Sequence, residues 1–207
     1  MHMDRVIAYI DGFNLYYGLR ERQWKRYYWL DMPALVRSLL KSHQELVQCH
    51  YFTARISSGH GHQDAKRQTT WLEAVSTHGG VQIHFGKYLM KERRCQHCKE
   101  SMQVPEEKMT DVNIATQLLV DAFSDAFDMA LVISGDSDLA PPILAIRQHL
   151  PQKRVVIAFP PKRKSHDLRQ AAHACIHIGA DKLKHAQMPD QIRKPDGYVL
   201  QRPSNWR

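Results

Sequence analysis

No stretch of this 207-residue chain approaches the ~18 consecutive apolar residues that a membrane-spanning helix needs, and its first residues lack the charged-then-apolar pattern of a secretory signal. A soluble, cytoplasmic protein with no membrane partner is therefore expected. Cysteine is scarce, four residues in all, so the core must come from packing alone, which 43% hydrophobic residues at this length allow. Cys49 and Cys175 lie in apolar runs and read as core residues. There is no internal repeat and no second domain. Acids are outnumbered too: 21 Asp and Glu stand against 29 Lys and Arg, a formal charge of +8. Such an excess is the footprint of a protein that meets nucleic acid, although a merely basic surface gives the same count.

The few acids are not scattered. Met129 to Leu139, MALVISGDSDL, is an apolar run of strand length that stops at Ser134, Gly135, Asp136, Ser137 and Asp138. Arg5 to Leu15, RVIAYIDGFNL, repeats the arrangement, with β-branched residues closing on Asp11, then Gly12 and Asn14. In an open α/β sheet ligands bind outside the carboxyl ends of the strands, so acids placed there face a cleft. Ser, Gly and Asp after a strand are also ordinary turn and N-cap residues. Repetition at two strand ends favours a site, because like charges gathered together carry a cost that a bound cation removes. Asp111 opens a helix predicted over 111–127, in which Val112, Ala115, Leu118, Leu119, Ala122 and Phe123 recur at three- and four-residue steps. The helix dipole alone would favour a carboxylate there; the other reading makes it the fourth acid of the cleft. Asp121, about 15 Å further along, is out of reach of that site.

Further strands are expected at 46–53, 81–85, 154–159 and 175–178, with helices between them. This alternation implies a three-layer α/β/α domain whose mainly parallel sheet has five to six strands joined by right-handed crossovers. Arg55 follows one strand end and Lys162, Arg163 and Lys164 another, which makes these four the candidate phosphate contacts. Trp24 to Trp29, WKRYYW, interleaves bases with aromatics, as stacking platforms for unpaired bases do and as packed surface loops also do. The domain is expected to end near residue 183, with 184–207, polar, basic and proline-containing, as an arm or frayed tail. Residues 87–105 read as a basic insertion carrying Cys95-Gln96-His97-Cys98, half a zinc site by spacing. His97, His84, His60, His62, Cys49 or the same pair from a second copy could supply the rest, the last making zinc a homodimer clamp. Free thiols or a labile disulfide are the other readings.

Taken in order, YIDGFNLYYG at 9–18, YFTAR at 51–55, EEKMTDVNIATQLLVDAF at 106–123, DMALVISGDSDLAPPI at 128–143 and PPKRKSHDLR at 160–169 resemble the NYN domains, the LabA-like branch of the PIN-like nucleases. The resemblance spans residues 5 to 179. It implies a PIN-like fold, RNA as partner and substrate, and Mg²⁺ or Mn²⁺ held by the acids at Asp11, Asp111, Asp136 and Asp138, with Asn14 and Ser134 in support. The activity implied is endonucleolytic hydrolysis of single-stranded or structured RNA. A phosphatase of the haloacid dehalogenase type would want a second Asp two residues after the first, where this chain has Phe13. A non-catalytic RNA-binding or assembly module of the same fold is the other alternative.

Overall fold

The computed structural model describes residues 3–55, 62–94 and 96–206. Along the chain, β1 (Asp4–Asp11) leads into α1 (Gly12–Glu21) and α2 (Met32–Leu39), and β2 (Gln44–Thr53) into α3 (His62–His78). After β3 (Gln82–Phe85) comes a hairpin of β4 (Lys87–Arg94) and β5 (Ser101–Lys108). Then follow α4 (Thr110–Phe123), β6 (Met129–Ile133), α5 (Ala140–His149), β7 (Arg154–Phe159), α6 (His166–Ala171), β8 (Ala174–His177) and α7 (Ala180–His185). A second short hairpin, β9 (Gln191–Arg193) and β10 (Val199–Gln201), comes last.

Six strands pair in parallel in the order β3-β2-β1-β6-β7-β8. The chain builds outward from β1 to β3, then returns to lay β6 against the free side of β1 and builds outward the other way. That reversal is a topological switch point, where a crevice opens at the carboxyl ends of β1 and β6. Val6, Ala8 and Ile10 of β1 face one layer with α1, α2 and α3, while Ile7 and Tyr9 face the other with α4, α5 and α6. Successive strand residues point to opposite faces. Because both faces are covered, the central strands read as continuous apolar runs, and the expected α/β/α architecture is the one observed.

Three segments differ from expectation. The helix predicted to 127 stops at Phe123, because Asp125 takes φ 54° and the Ala126 N–H returns to the Asp121 carbonyl at 2.9 Å, a Schellman-type ending. The 87–105 insertion belongs to an antiparallel ladder running from Lys87 opposite Lys108 to Arg94 opposite Ser101. It is held by its own backbone bonds and by Tyr88, edge-on to Phe13 at 6.1 Å. The expected frayed tail is also corrected: Met188, Ile192, Leu200 and Trp206 are buried in the core, the β9/β10 hairpin lying against α3. Trp206 packs on Tyr28 and Trp29 with ring centroids 5.4 and 6.3 Å away, and the Trp29 indole donates to the Pro189 carbonyl at 2.8 Å. Among the described residues no helix is long and apolar enough to cross a membrane.

Candidate active site

Asp11 is the last residue of β1 and the N-cap of α1. Its Oδ1 accepts from the Asn14 N–H at 2.9 Å, and its Oδ2 accepts from Asn14 Nδ2 at 2.7 Å and from the Ser134 hydroxyl at 2.8 Å. Ser134 follows β6, the next strand, so one hydroxyl ties the two strand ends together. The Asp136 N–H donates to Ser134 Oγ at 3.0 Å, the Gly135 N–H to Asn14 Oδ1 at 3.2 Å, and the Asp138 N–H to Asp136 Oδ1 at 3.0 Å. The acid loop is thus fixed by the side chains of Asp11, Asn14 and Ser134 through short-range bonds.

Asp11 is only 2% exposed, and burial raises its carboxyl pKa. Hydrogen bonds from Asn14 and Ser134 pull the other way without cancelling that rise, and the charge of Asp136 adds to it. The opposite edge of the sheet is built differently. There Asp128 accepts from Arg5 Nη2 at 2.9 Å and is held down at about 2 by that partner, and Asp125 pairs with Lys153. Among the described residues Asp11, Asp136 and Asp138 have no basic partner of this kind.

The basic segment after β7 lies against this loop. A Cβ on Gly135 would stand 2.7 Å from Arg163 Cβ, and one on Gly18 would stand 2.4 Å from the Pro161 carbonyl, so both positions require glycine for the close approach. Arg163 is partly buried by that packing and pairs with Glu21, which makes it a brace between α1 and the acid loop. Lys162 and Lys164 are exposed. Arg55 is exposed beyond β2, its guanidinium 4.8 Å above the Phe85 ring. If Lys162 and Lys164 meet phosphates, replacing both by Ala should flatten the slope of log affinity against log salt by roughly two, one per lost contact. An unchanged slope in a filter-binding titration would move the RNA surface elsewhere.

Asp111 lies in the first turn of α4, which packs against β1, β2 and the Ser137–Leu139 3-10 turn. Among the described residues no three His, Cys, Asp or Glu side chains come close enough to share one ion. The predicted acids therefore form no multi-carboxylate cage among the described residues. For zinc, Cys95 and His60 lie outside the described residues and the His62 side chain is not described. Cys98 and His97 are exposed in the turn between β4 and β5. Cys49 is buried, its thiol pushed up to about 12 by desolvation, and His84 is engaged with His50.

A buried polar group was invisible in the sequence. The Tyr9 hydroxyl donates to Asp121 Oδ2 at 2.7 Å, Gln117 to Asp121 Oδ1 at 2.9 Å, and His50 Nδ1 lies 2.9 Å from His84 Nε2. His50 is 1% exposed; burial first, then His84, lowers its pKa to about 4. An unfolded histidine titrates near 6.5. Between pH ~6.5 and ~4 the unfolded chain binds a proton that the native chain does not, so native stability should fall across that window by about 3 kcal/mol at most. Urea unfolding at pH 7 and pH 4.5 checks this: His50→Gln should lose less stability on acidification than wild type, and equal losses would refute the assignment. Asp128 acts at lower pH, because its depressed pKa withdraws stability only below ~4.

Parallel strand order, a switch-point crevice and a fixed acid loop together define a PIN-like α/β/α domain. The chain belongs to the NYN domain family, whose model matches residues 5–179. It is similar to 6-hydroxy-3-succinoylpyridine 3-monooxygenase HspA of Pseudomonas putida, 28% identical over 98% of this chain and 75% of that protein. It is also similar to the crystal structure of a protein of unknown function from Vibrio parahaemolyticus, with a TM-score of 0.59 and 20% identity over 87% of this chain and 96% of that one. The second likeness concerns the fold. The reaction named for the Pseudomonas protein is that protein's own.

Proposed function

We propose that this protein is a metal-dependent ribonuclease working at the β1/β6 crevice. The observation that carries the reading is the buried Asp11 carboxylate, tied through Ser134 to the Asp136 loop and left without a basic partner among the described residues. The donor chemistry suits a hard cation. All the side-chain donors are oxygens, and Mg²⁺ keeps several waters while taking one or two carboxylates in place of a closed protein cage. Asp11 and Asp136 would hold the ion, with Asp138 and Asp111 behind or beside them. A divalent cation held there would supply a lowered pKa for water and neutralisation of charge on the phosphoryl oxygens.

The chain's own residues do the rest. Asn14 and Ser134 lock the Asp11 carboxylate in one orientation, and Arg163 braces the acid loop against α1. Lys162 and Lys164 draw the phosphates of the strand toward the crevice. Labelled single-stranded RNA incubated with Mg²⁺ or Mn²⁺, and again with chelator, tests the proposal. Cleavage that the chelator stops supports it. RNA that is bound and never cut would favour the assembly module.

A further inference from the structure

The nuclease reading leaves unused an open cavity of about 680 Å³ on the other side of α1, walled by α3, the 24–30 segment and the C-terminal Trp206. Its size lies within the range of small-ligand sites. Tyr16, Tyr28, Trp71 and Trp206 line it, with Arg20 and Lys25 at hand. The Trp71 side chain is buried at 6% exposure, so it offers the cavity ring surface only, its indole N–H being closed off and without an acceptor among the described residues. Arg20 lies 6.0 Å from the Tyr17 ring centroid, and neither Arg20 nor Lys25 pairs with a carboxylate among the described residues. Trp206 is held rigidly by Tyr28 and Trp29, so one wall is preformed. The interleaved bases and aromatics of Trp24 to Trp29 therefore contribute to a built chamber: Tyr27 and Trp29 turn inward to the core, while Lys25 and Tyr28 line the cavity.

We infer that this chamber binds a flat heteroaromatic ring that carries an anionic group. The ring stacks against tyrosine and tryptophan, and the anion meets Arg20 and Lys25. Two sources share this chemistry: an unpaired nucleotide of an RNA strand, or a free heteroaromatic acid. Gly12 lines the chamber and directly follows Asp11, so a nucleotide seated here would place its strand beside the acid crevice. The RNA source rests on the nuclease reading; the site itself does not.

Calorimetric titration in chelator separates the two, because binding is read without turnover. Adenosine and uridine 5′-monophosphates are one arm and pyridine-3-carboxylate the other. Tyr16 is exposed, so Tyr16→Ala should spare the fold and weaken binding about five- to a hundredfold. Arg20→Gln removes a cation from an exposed position on the lining and should cost about two- to fivefold. Tighter binding of the nucleotides supports the chamber with RNA as its source; tighter binding of the pyridine acid supports it with a small molecule. Failure of both probes to saturate below about 10 mM, or dissociation constants unmoved by both substitutions, would overturn it.

Discussion

Asp136→Asn should abolish metal-dependent RNA cleavage and leave the fold intact. Replacing groups that merely support metal ligands costs about 10–100-fold, so loss of a ligand itself should cost at least ~100-fold. Asn keeps the oxygen that accepts the Asp138 N–H, and Asp136 is only partly buried, so little packing changes. Removing the charge also relieves its repulsion of Asp11, so the melting temperature should hold or rise slightly. Asp11→Asn is the poorer probe. An amide nitrogen in place of Oδ2 would face two donors, Asn14 Nδ2 and the Ser134 hydroxyl, and activity loss would then be mixed with misfolding. An Asp136→Asn protein that retains activity, or that loses stability by more than ~1 kcal/mol, would assign this residue to the turn alone.

Ending the chain after Ala186 should prevent cooperative folding. The deletion removes Met188, Ile192, Leu200 and Trp206, each 3–7% exposed. Burial of a large apolar side chain is worth about 1.5–3 kcal/mol, so the four together contribute about 6–12 kcal/mol, comparable with the whole stability of a typical domain at about 5–15 kcal/mol. Trp29, wholly buried, would also lose the Pro189 carbonyl that satisfies its indole. The measurement is circular dichroism during urea unfolding. A truncated protein with a sharp transition near that of the full chain would show that the segment is a mere cover.

The central strands β1, β6 and β7 are readable because parallel strands buried on both faces leave uninterrupted apolar runs, and both acid-bearing ends are marked where those runs stop. The C-terminal segment was not readable. Its four anchors are separated by prolines and charges at no regular period, and the surfaces they dock on, α3 for the β9/β10 hairpin and Tyr28 and Trp29 for Trp206, are distant in sequence. The β4/β5 hairpin was hidden for a related reason: polar strands such as Lys87–Arg94 pair through their backbones and carry little hydrophobic signature. The role of Asp121 with Tyr9 and His50 depends on α4 packing across β1 and β2, which no local pattern marks. Arg163 looked like its lysine neighbours, and only the close approach of Gly18 and Gly135 shows it to be a brace.

Hydrolysis in ¹⁸O-labelled water tests the central claim most directly. Single-stranded RNA, the protein and Mg²⁺ are incubated in that solvent and the product ends are read by mass spectrometry. If the acids at β1 and β6 serve to activate water, each cut should place one solvent oxygen on the released phosphate, and both the cut and the label should vanish with chelator. Ends without solvent oxygen, or cleavage indifferent to the metal, would contradict the account.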